Sequence, residues 1–136
     1  MTQVHVRIRV GAETYALPVE NVLEVGELPE VGAVPGSGPA LLGVLNLRGR
    51  VLPTFDLART FGIPREGRPS HLVVTKEGGR IAGLAVDEVI DVAPLAAPVQ
   101  ESEASYLAGS MLDNGTLVGV IDADSMFAAL ERQVAG

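Results

Sequence analysis

Apolar and polar residues alternate along most of this chain, a period of two that is typical of half-buried strands. Every second residue from Val4 to Val10 is apolar, and the alternation resumes at Tyr15 after a turn. Pro18 then predicts the start of a short helix of about two turns. The Pro- and Gly-rich residues 29–40 have no period and predict a connecting loop.

The stretch "LLGVLNLRGRVLPTFDL" has two apolar runs joined at Arg48-Gly49, which predicts a hairpin. Pro53 has no amide hydrogen to donate, so its strand is expected at a sheet edge or at a bulge. Asp56 is placed to cap a short helix that ends at Gly62, because its carboxylate can accept the first free amides.

The rest of the chain predicts two more strand pairs and a final helix. "HLVVTK" and "RIAGLAVDEVIDV" predict one pair. Asn114-Gly115 joins the second pair, because this dipeptide accepts the positive φ angles of a type I′ turn. A C-terminal helix is predicted to begin near Asp122 or Asp124, with a capping role for the acid.

The two halves of the chain resemble each other at a nearly constant spacing. Residues 17–25 and 84–92 share the pattern Leu-x-Val-acid-x-Val-x-acid-Val at an offset of 67. Three further pairs lie 66 apart: Gly49 with Gly115, Asp56 with Asp122, and Phe61 with Phe127. The common offset favours an internal duplication. Each half then predicts about five short strands closed into a small barrel, with a groove between the two barrels as the first place for binding.

Composition narrows the possible functions. The chain has 136 residues, 47% of them apolar, which is ample for one globular domain. A net charge of −7 with scattered basic residues argues against a nucleic-acid partner. There is no cysteine, and no apolar stretch approaches the ~20 residues of a membrane span. A cytoplasmic protein is the expectation.

A search for catalytic chemistry predicts no catalytic residue, no metal site and no cofactor. His5 and His71 lack neighbours at metal-ligand spacing and are interpreted as exposed or edge-strand histidines. Asp87, Glu88 and Asp91 alternate with apolar residues and are predicted to face solvent. The chain has no thiol and no serine-centred nucleophile elbow, so it is not expected to be an enzyme.

Arg48 stands out because the second half carries Asn114 at the matching turn position. An arginine on a rigid hairpin presents five donors in a fixed geometry, which suits a carboxylate, carbonyl or amide on another protein. It can equally be a solvated turn residue, or an intramolecular ion pair with Glu20 or Glu24. The residues by themselves leave these alternatives open.

Three segments, in order, resemble the family of CheW-like chemotaxis coupling proteins. "GVLNLRGRVLPTFDL" is similar to the family's central signature, and "YALPVENVLEV" and "LAVDEVIDV" resemble its two flanking segments. The resemblance extends from Val4 to about Leu130. It implies a single mainly β domain over 1–136, made of two intertwined five-stranded SH3-like barrels from an internal duplication, with short helices and a C-terminal helix. The implied subdomains are residues 15–70 and 71–120, completed by the terminal segments.

The resemblance also implies a function and a site. The expected role is a non-catalytic adaptor between the cytoplasmic tip of a chemoreceptor and the regulatory domain of a histidine kinase. Such a protein is expected in the cytoplasm, at receptor arrays on the inner face of the membrane, without inserting into it. The family's receptor-binding positions correspond here to Arg48, Val22, Glu24 and Val25. Turn or structural roles are expected for Gly49, Pro53, Asp56, Asn114, Gly115 and Asp122.

Two other functions are kept as alternatives. A small double barrel can bind a metabolite in the groove between its halves, or it can form a structural homo-oligomer through strand edges. Saturable binding of a small molecule would favour the first alternative, and a stable dimer without any partner would favour the second.

Overall fold

The computed structural model of the chain describes residues 2–34, 38–98, 100–102 and 104–135. Residues 35–37 of the predicted 29–40 loop are outside this set. The described residues form ten strands and two helices: β1 (Thr2–Val10), β2 (Glu13–Pro18), β3 (Val22–Glu27), β4 (Leu41–Leu47), β5 (Arg50–Asp56), α1 (Leu57–Phe61), β6 (His71–Glu77), β7 (Arg80–Val86), β8 (Glu88–Ala96), β9 (Leu107–Asp113), β10 (Thr116–Ile121) and α2 (Ala123–Ala135). The mainly β fold with a C-terminal helix is confirmed.

The strands form two five-stranded sheets. The terminal sheet has the order β8-β1-β2-β10-β9, and the central sheet has the order β3-β6-β7-β5-β4. Matching strands of the two halves are five apart in number, so that β1 corresponds to β6 and β5 to β10. Exchanging each strand for its counterpart converts one sheet order into the other. The duplication seen in the sequence is therefore present in the topology as well.

The two halves are intertwined because each supplies strands to both sheets. The hairpin β1–β2 of the first half lies among β8, β9 and β10 of the second, and β6–β7 lies among β3, β4 and β5. In each sheet, strands from different halves form one parallel pair. Val120 of β10 lies opposite Ala16 of β2, and Thr54 of β5 lies opposite Gly83 of β7. These sheet boundaries differ from the division into residues 15–70 and 71–120, which stays a prediction about subdomains.

Alternate residues of each sheet enter different apolar clusters, because successive side chains of a strand point to opposite faces. Along β6, Val73 joins a large core shared by both sheets, whereas Leu72 and Val74 join a smaller cluster of the central sheet alone. The terminal sheet has its own small cluster around Leu95 and Met111. The shared core also holds α2 through Met126, Phe127 and Leu130, which fastens the two sheets together.

The carboxylates Asp56 and Asp122 begin the two helices. Asp56 accepts the amides of Ala58 and Arg59, and α1 ends at Gly62, whose φ of +72° is in the left-handed region. Asp122 accepts the amide of Ser125 at 3.3 Å. Asp56 and Asp122, which are 66 residues apart, thus have the same capping role, but α1 is short and α2 is long.

Four local expectations are corrected by the structure. The two-turn helix after Pro18 is a single 3-10 turn at Val19–Asn21, because the chain re-enters a strand at Val22. The predicted strand "RIAGLAVDEVIDV" is broken at Asp87 into β7 and β8. Asp87 itself does not face solvent: its side chain is 10% exposed, close to Arg65, and accepts the amide of Gly11.

His5 is the fourth corrected position, whereas Pro53 has the second of its two expected placements, beside a bulge. Pro53 is not on an edge strand, since β5 lies between β4 and β7. The proline is tolerated there because pairing of β5 with β7 begins one residue later, at Thr54, and because β4 bulges between Leu41 and Gly43, opposite Phe55 and Thr54. His5 is 3% exposed within β1, which has strands on both sides, and its Nδ1 lies 2.8 Å from the carbonyl oxygen of Gln3.

Candidate functional site at the Arg48 turn and strand β3

Arg48 lies at the tip of the β4–β5 hairpin in a backbone conformation that favours glycine or asparagine. Its φ is +51° and that of Gly49 is +81°, close to the +48° and +82° of Asn114 and Gly115. The Asn46 side chain accepts the amide of Gly49 at 3.2 Å and closes the turn. A left-handed arginine costs about 1 kcal/mol, so geometry alone would favour asparagine at this position.

The guanidinium of Arg48 forms a bidentate ion pair with Glu24 on β3. Nη1 and Nη2 donate to the two carboxylate oxygens at 2.9 and 3.0 Å. The pair joins β3, one outer strand of the central sheet, to the hairpin of β4, the other outer strand. Of the alternatives left open by the sequence, the ion pair with Glu24 is formed, whereas Glu20 accepts the side-chain amide of Gln3.

This ion pair is exposed and therefore weak. The Arg48 side chain is 76% exposed and that of Glu24 is 31% exposed. Exposed pairs contribute about 0–1 kcal/mol because water and salt screen them. Two of the five N–H donors of Arg48 bind Glu24, which leaves three without a hydrogen-bond partner among the described residues.

Strands β3 and β5, at either end of this ion pair, carry exposed or half-buried apolar side chains. Val22 is half-buried against the shared core, and Val25 is 46% exposed. Leu23 and Val51, which are not among the predicted site residues, are also exposed on these two strands. No sequence signal separated them, because Leu23 was predicted to lie in a helix and single exposed apolar residues are common on protein surfaces.

The duplicated site in the terminal sheet is built differently. Asp91 on β8 occupies the position of Glu24, and its carboxylate accepts two hydrogen bonds from Arg7 of β1, at 2.7 and 2.5 Å. Arg7 also donates to Asp113 at the end of β9, at 2.7 Å. One arginine thus ties together the two outer strands of its sheet.

The two arginines differ in exposure and in strength of pairing. The Arg7 side chain is 21% exposed, against 76% for Arg48. The hydrogen bonds from Arg7 lower the pKa of Asp91, and this pairing raises the pKa of Arg7. Sequence reasoning missed Arg7 because its alternation with apolar residues looked like that of a solvent-facing strand residue.

No grouping of three or more His, Cys, Asp or Glu side chains capable of holding a metal occurs in the described ranges. Likewise, no helix in the part of the chain that the structure describes is long and apolar enough to cross a membrane.

Comparisons with known proteins agree with the architecture. The family model for the CheW-like domain matches residues 5–131. The chain is 26% identical to the probable chemotaxis protein CheW of Rhizobium etli and 27% identical to the chemotaxis protein CheW of Rhizobium meliloti, in each case over 96% of this chain and 90% of the relative. The crystal structure of the scaffolding protein TtCheW from Thermoanaerobacter tengcongensis superposes with a TM-score of 0.80 at 26% identity, and the match covers 90% of each chain.

Proposed function

We propose, from the premise that this chain belongs to the CheW-like domain family, that it couples the cytoplasmic tip of a chemoreceptor to the regulatory domain of a histidine kinase. Membership of this family makes the chain a non-catalytic adaptor in chemotaxis signalling. The alternatives, a metabolite-binding module or a structural homo-oligomer, are not favoured because the relatives are chemotaxis proteins.

The observation that supports a receptor contact is the exposed, left-handed Arg48. An arginine in a turn where the duplicated half uses asparagine costs stability, and its pair with Glu24 is too exposed to compensate fully. A residue that is unfavourable for folding and freely accessible is best explained by binding. We therefore assign Arg48, Val22, Glu24 and Val25 to the receptor-binding surface.

This surface suits an amphipathic helix of the receptor tip. The exposed Val25 and the half-buried Val22 offer apolar contact, and the free donors of Arg48 can fix the register of a helix by binding its carboxylates or carbonyls. Glu24 holds the guanidinium in place before the partner arrives, which reduces the entropy lost on binding.

The test is Arg48→Glu measured against a receptor-tip fragment. The reversed charge places two carboxylates side by side, so binding is expected to weaken at least about tenfold, the equivalent of about 1.4 kcal/mol. Loss of the exposed ion pair should lower the melting temperature by only about a few degrees. Arg50→Glu is the matched control, because Arg50 is exposed two residues away and makes no ion pair among the described residues. Equal binding by Arg48→Glu and the wild type would refute the receptor assignment.

The place of action follows from the partners. A protein that joins receptor tips to a kinase works in the cytoplasm, at receptor arrays on the inner face of the membrane. We also propose that residues 1–136 act as one unit, with subdomains at about residues 15–70 and 71–120. Fractionation of cells with and without chemoreceptors tests the location, because membrane association should depend on the receptors.

A further inference from the structure

Arg65 in the first half is a buried arginine that holds two carboxylates. Its side chain is 8% exposed, and it donates to Asp56 while its Nε lies 3.7 Å from Asp87. The side chains of Asp56 and Asp87 are 3% and 10% exposed. Two carboxylates buried to this extent need a cation between them, because the cost of removing each from water is large.

Both carboxylates have a counterpart in the second half. Asp122 lies 66 residues after Asp56 and caps α2 as Asp56 caps α1. Glu20 lies 67 residues before Asp87, in the same place relative to the paired strands. The duplication has therefore kept an acid at each of the two positions that Arg65 joins.

The arginine has no counterpart in the second half. After Phe61 the chain leaves α1 and turns back, which brings Arg65 against Asp56, whereas after Phe127 the helix α2 continues to Ala135. Within the described ranges no arginine or lysine forms an ion pair with Glu20 or Asp122.

Glu20 and Asp122 line two adjoining cavities. The first, of about 390 Å³, has mostly apolar walls that include Leu95, Val120 and Ile121. His5 also lines it: the residue is 3% exposed, its Nδ1 lies beside the Gln3 carbonyl, and its Nε2 has no hydrogen-bond partner among the residues described.

The second cavity, of about 410 Å³, adds Glu77 and Asp124. Both of these carboxylates are already bound by Arg80, at 2.8 and 2.5 Å. Glu20 and Asp122 are therefore the two acids at the junction of the cavities that remain without a cation.

Unlike the buried Asp56 and Asp87, Glu20 and Asp122 are exposed and open to a partner. We propose that this Glu20–Asp122 pocket binds the guanidinium of an arginine side chain from a protein partner, at the two positions that match those joined by Arg65 in the other half. A guanidinium can donate to two carboxylates at once through its planar fork. Arg65 donates to Asp56 and forms a longer ion pair with Asp87, 3.7 Å from its Nε. The apolar walls can cover the methylene stem of the incoming arginine. The proposal concerns residues other than Arg48 and stands independently of the proposed receptor contact.

The test is a titration of the ¹⁵N-labelled protein with the peptide acetyl-Ala-Arg-Ala-amide, followed by NMR. Saturable shifts are expected at the amides of Glu20, Asp122 and Ala123, and the citrulline peptide, which has the same shape without the charge, should bind about tenfold more weakly. Glu20→Gln and Asp122→Asn should weaken arginine binding by a similar factor. Asparagine remains a good helix cap, so the second variant should stay folded. Glu66→Gln, an exposed acid that lines neither cavity, is the matched control.

Three results would overturn the proposal: equal binding of the arginine and citrulline peptides, unchanged affinity in both variants, or shifts centred away from these residues. Free agmatine serves as a separate arm, because it carries the same group without a peptide. Saturation by agmatine but not by the arginine peptide would overturn the assignment to a protein side chain. Neither titration involves a receptor, so its failure is distinguishable from failure of the Arg48 assignment.

Discussion

At the residue scale, Thr54 shows how the two sheets diverged after duplication. Its Oγ1 is shielded completely from solvent and has no hydrogen-bond partner among the described residues. Thr54 faces Gly83 across a parallel pair, and a Cβ at Gly83 would lie 2.8 Å from that oxygen. The duplicated pair in the terminal sheet is Val120 opposite Ala16, which has no polar atom in its side chains.

Replacing Thr54 with valine is expected to raise the free energy of unfolding by about 1 kcal/mol, because it removes an unsatisfied buried hydroxyl at nearly constant volume. Urea denaturation measures the change. Thr54→Ser keeps the hydroxyl and removes the methyl group, so it should instead lower stability by about 1 kcal/mol. A loss of stability in Thr54→Val would mean that the hydroxyl has a partner in solution.

At the element scale, Arg7 fastens the outer strands of the terminal sheet through Asp91 and Asp113. The pKa of Asp91 is lowered in the folded state. Its carboxylate therefore stabilises the fold at pH values above the pKa of an unfolded aspartate, near 3.9. That contribution is lost as the pH falls through the pKa of the folded state. The stability gap between wild type and Asp91→Asn should therefore be constant above about pH 5 and shrink below about pH 4. Urea unfolding from pH 3 to pH 7 measures the gap.

The matched control for this measurement is Glu88→Gln on the same strand. Glu88 pairs with Arg9 at 3.3 Å, and both side chains are about half exposed. Its replacement should change stability less than Asp91→Asn at neutral pH, since exposed pairs contribute little. An equal or larger loss in Glu88→Gln would contradict the special role of the Arg7 pairing.

The elements also show how far the sequence could be interpreted. Alternation and turn residues predicted the strands other than β3, the Arg48 and Asn114 turns, and the caps at Asp56 and Asp122, because these depend on nearby residues. The end of the helix after Pro18 and the break at Asp87 were not predicted, since both depend on partners far along the chain: Val22 pairs with Thr75, and Asp87 contacts Gly11 and Arg65. Arg7 and His5 share that reason, because strand alternation does not reveal which side of a closed sheet is the interior.

At the scale of the whole molecule, duplication gave one framework to two surfaces with different chemistry. Glu24 and Asp91 occupy matching positions in the two halves. Glu24 pairs with Arg48 of an exposed turn, whereas Asp91 pairs with Arg7 of an inner strand. The acids at 56 and 87 hold an internal arginine, while those at 122 and 20 do not. Sites that kept their acids but exposed or lost their arginines are the places where this adaptor has ionic groups available for partners.

The exchange of strands between halves predicts that neither half folds alone. Fragment 1–68 keeps β1–β2 and β4–β5 but lacks β8, β10, β6 and β7, which join these hairpins into sheets. Isolated two-stranded hairpins are at best marginally stable in water. We expect no cooperative thermal transition from fragment 1–68 or fragment 69–136 alone at low concentration. Their equimolar mixture should recover both the β-type circular dichroism spectrum and a cooperative transition. The cut between Arg68 and Pro69 lies outside every strand, so the two fragments together retain all the strands of the intact chain. The thermal transition of the intact chain is therefore the reference for that of the mixture. Cooperative unfolding of either fragment as a monomer would show that the halves are independent barrels.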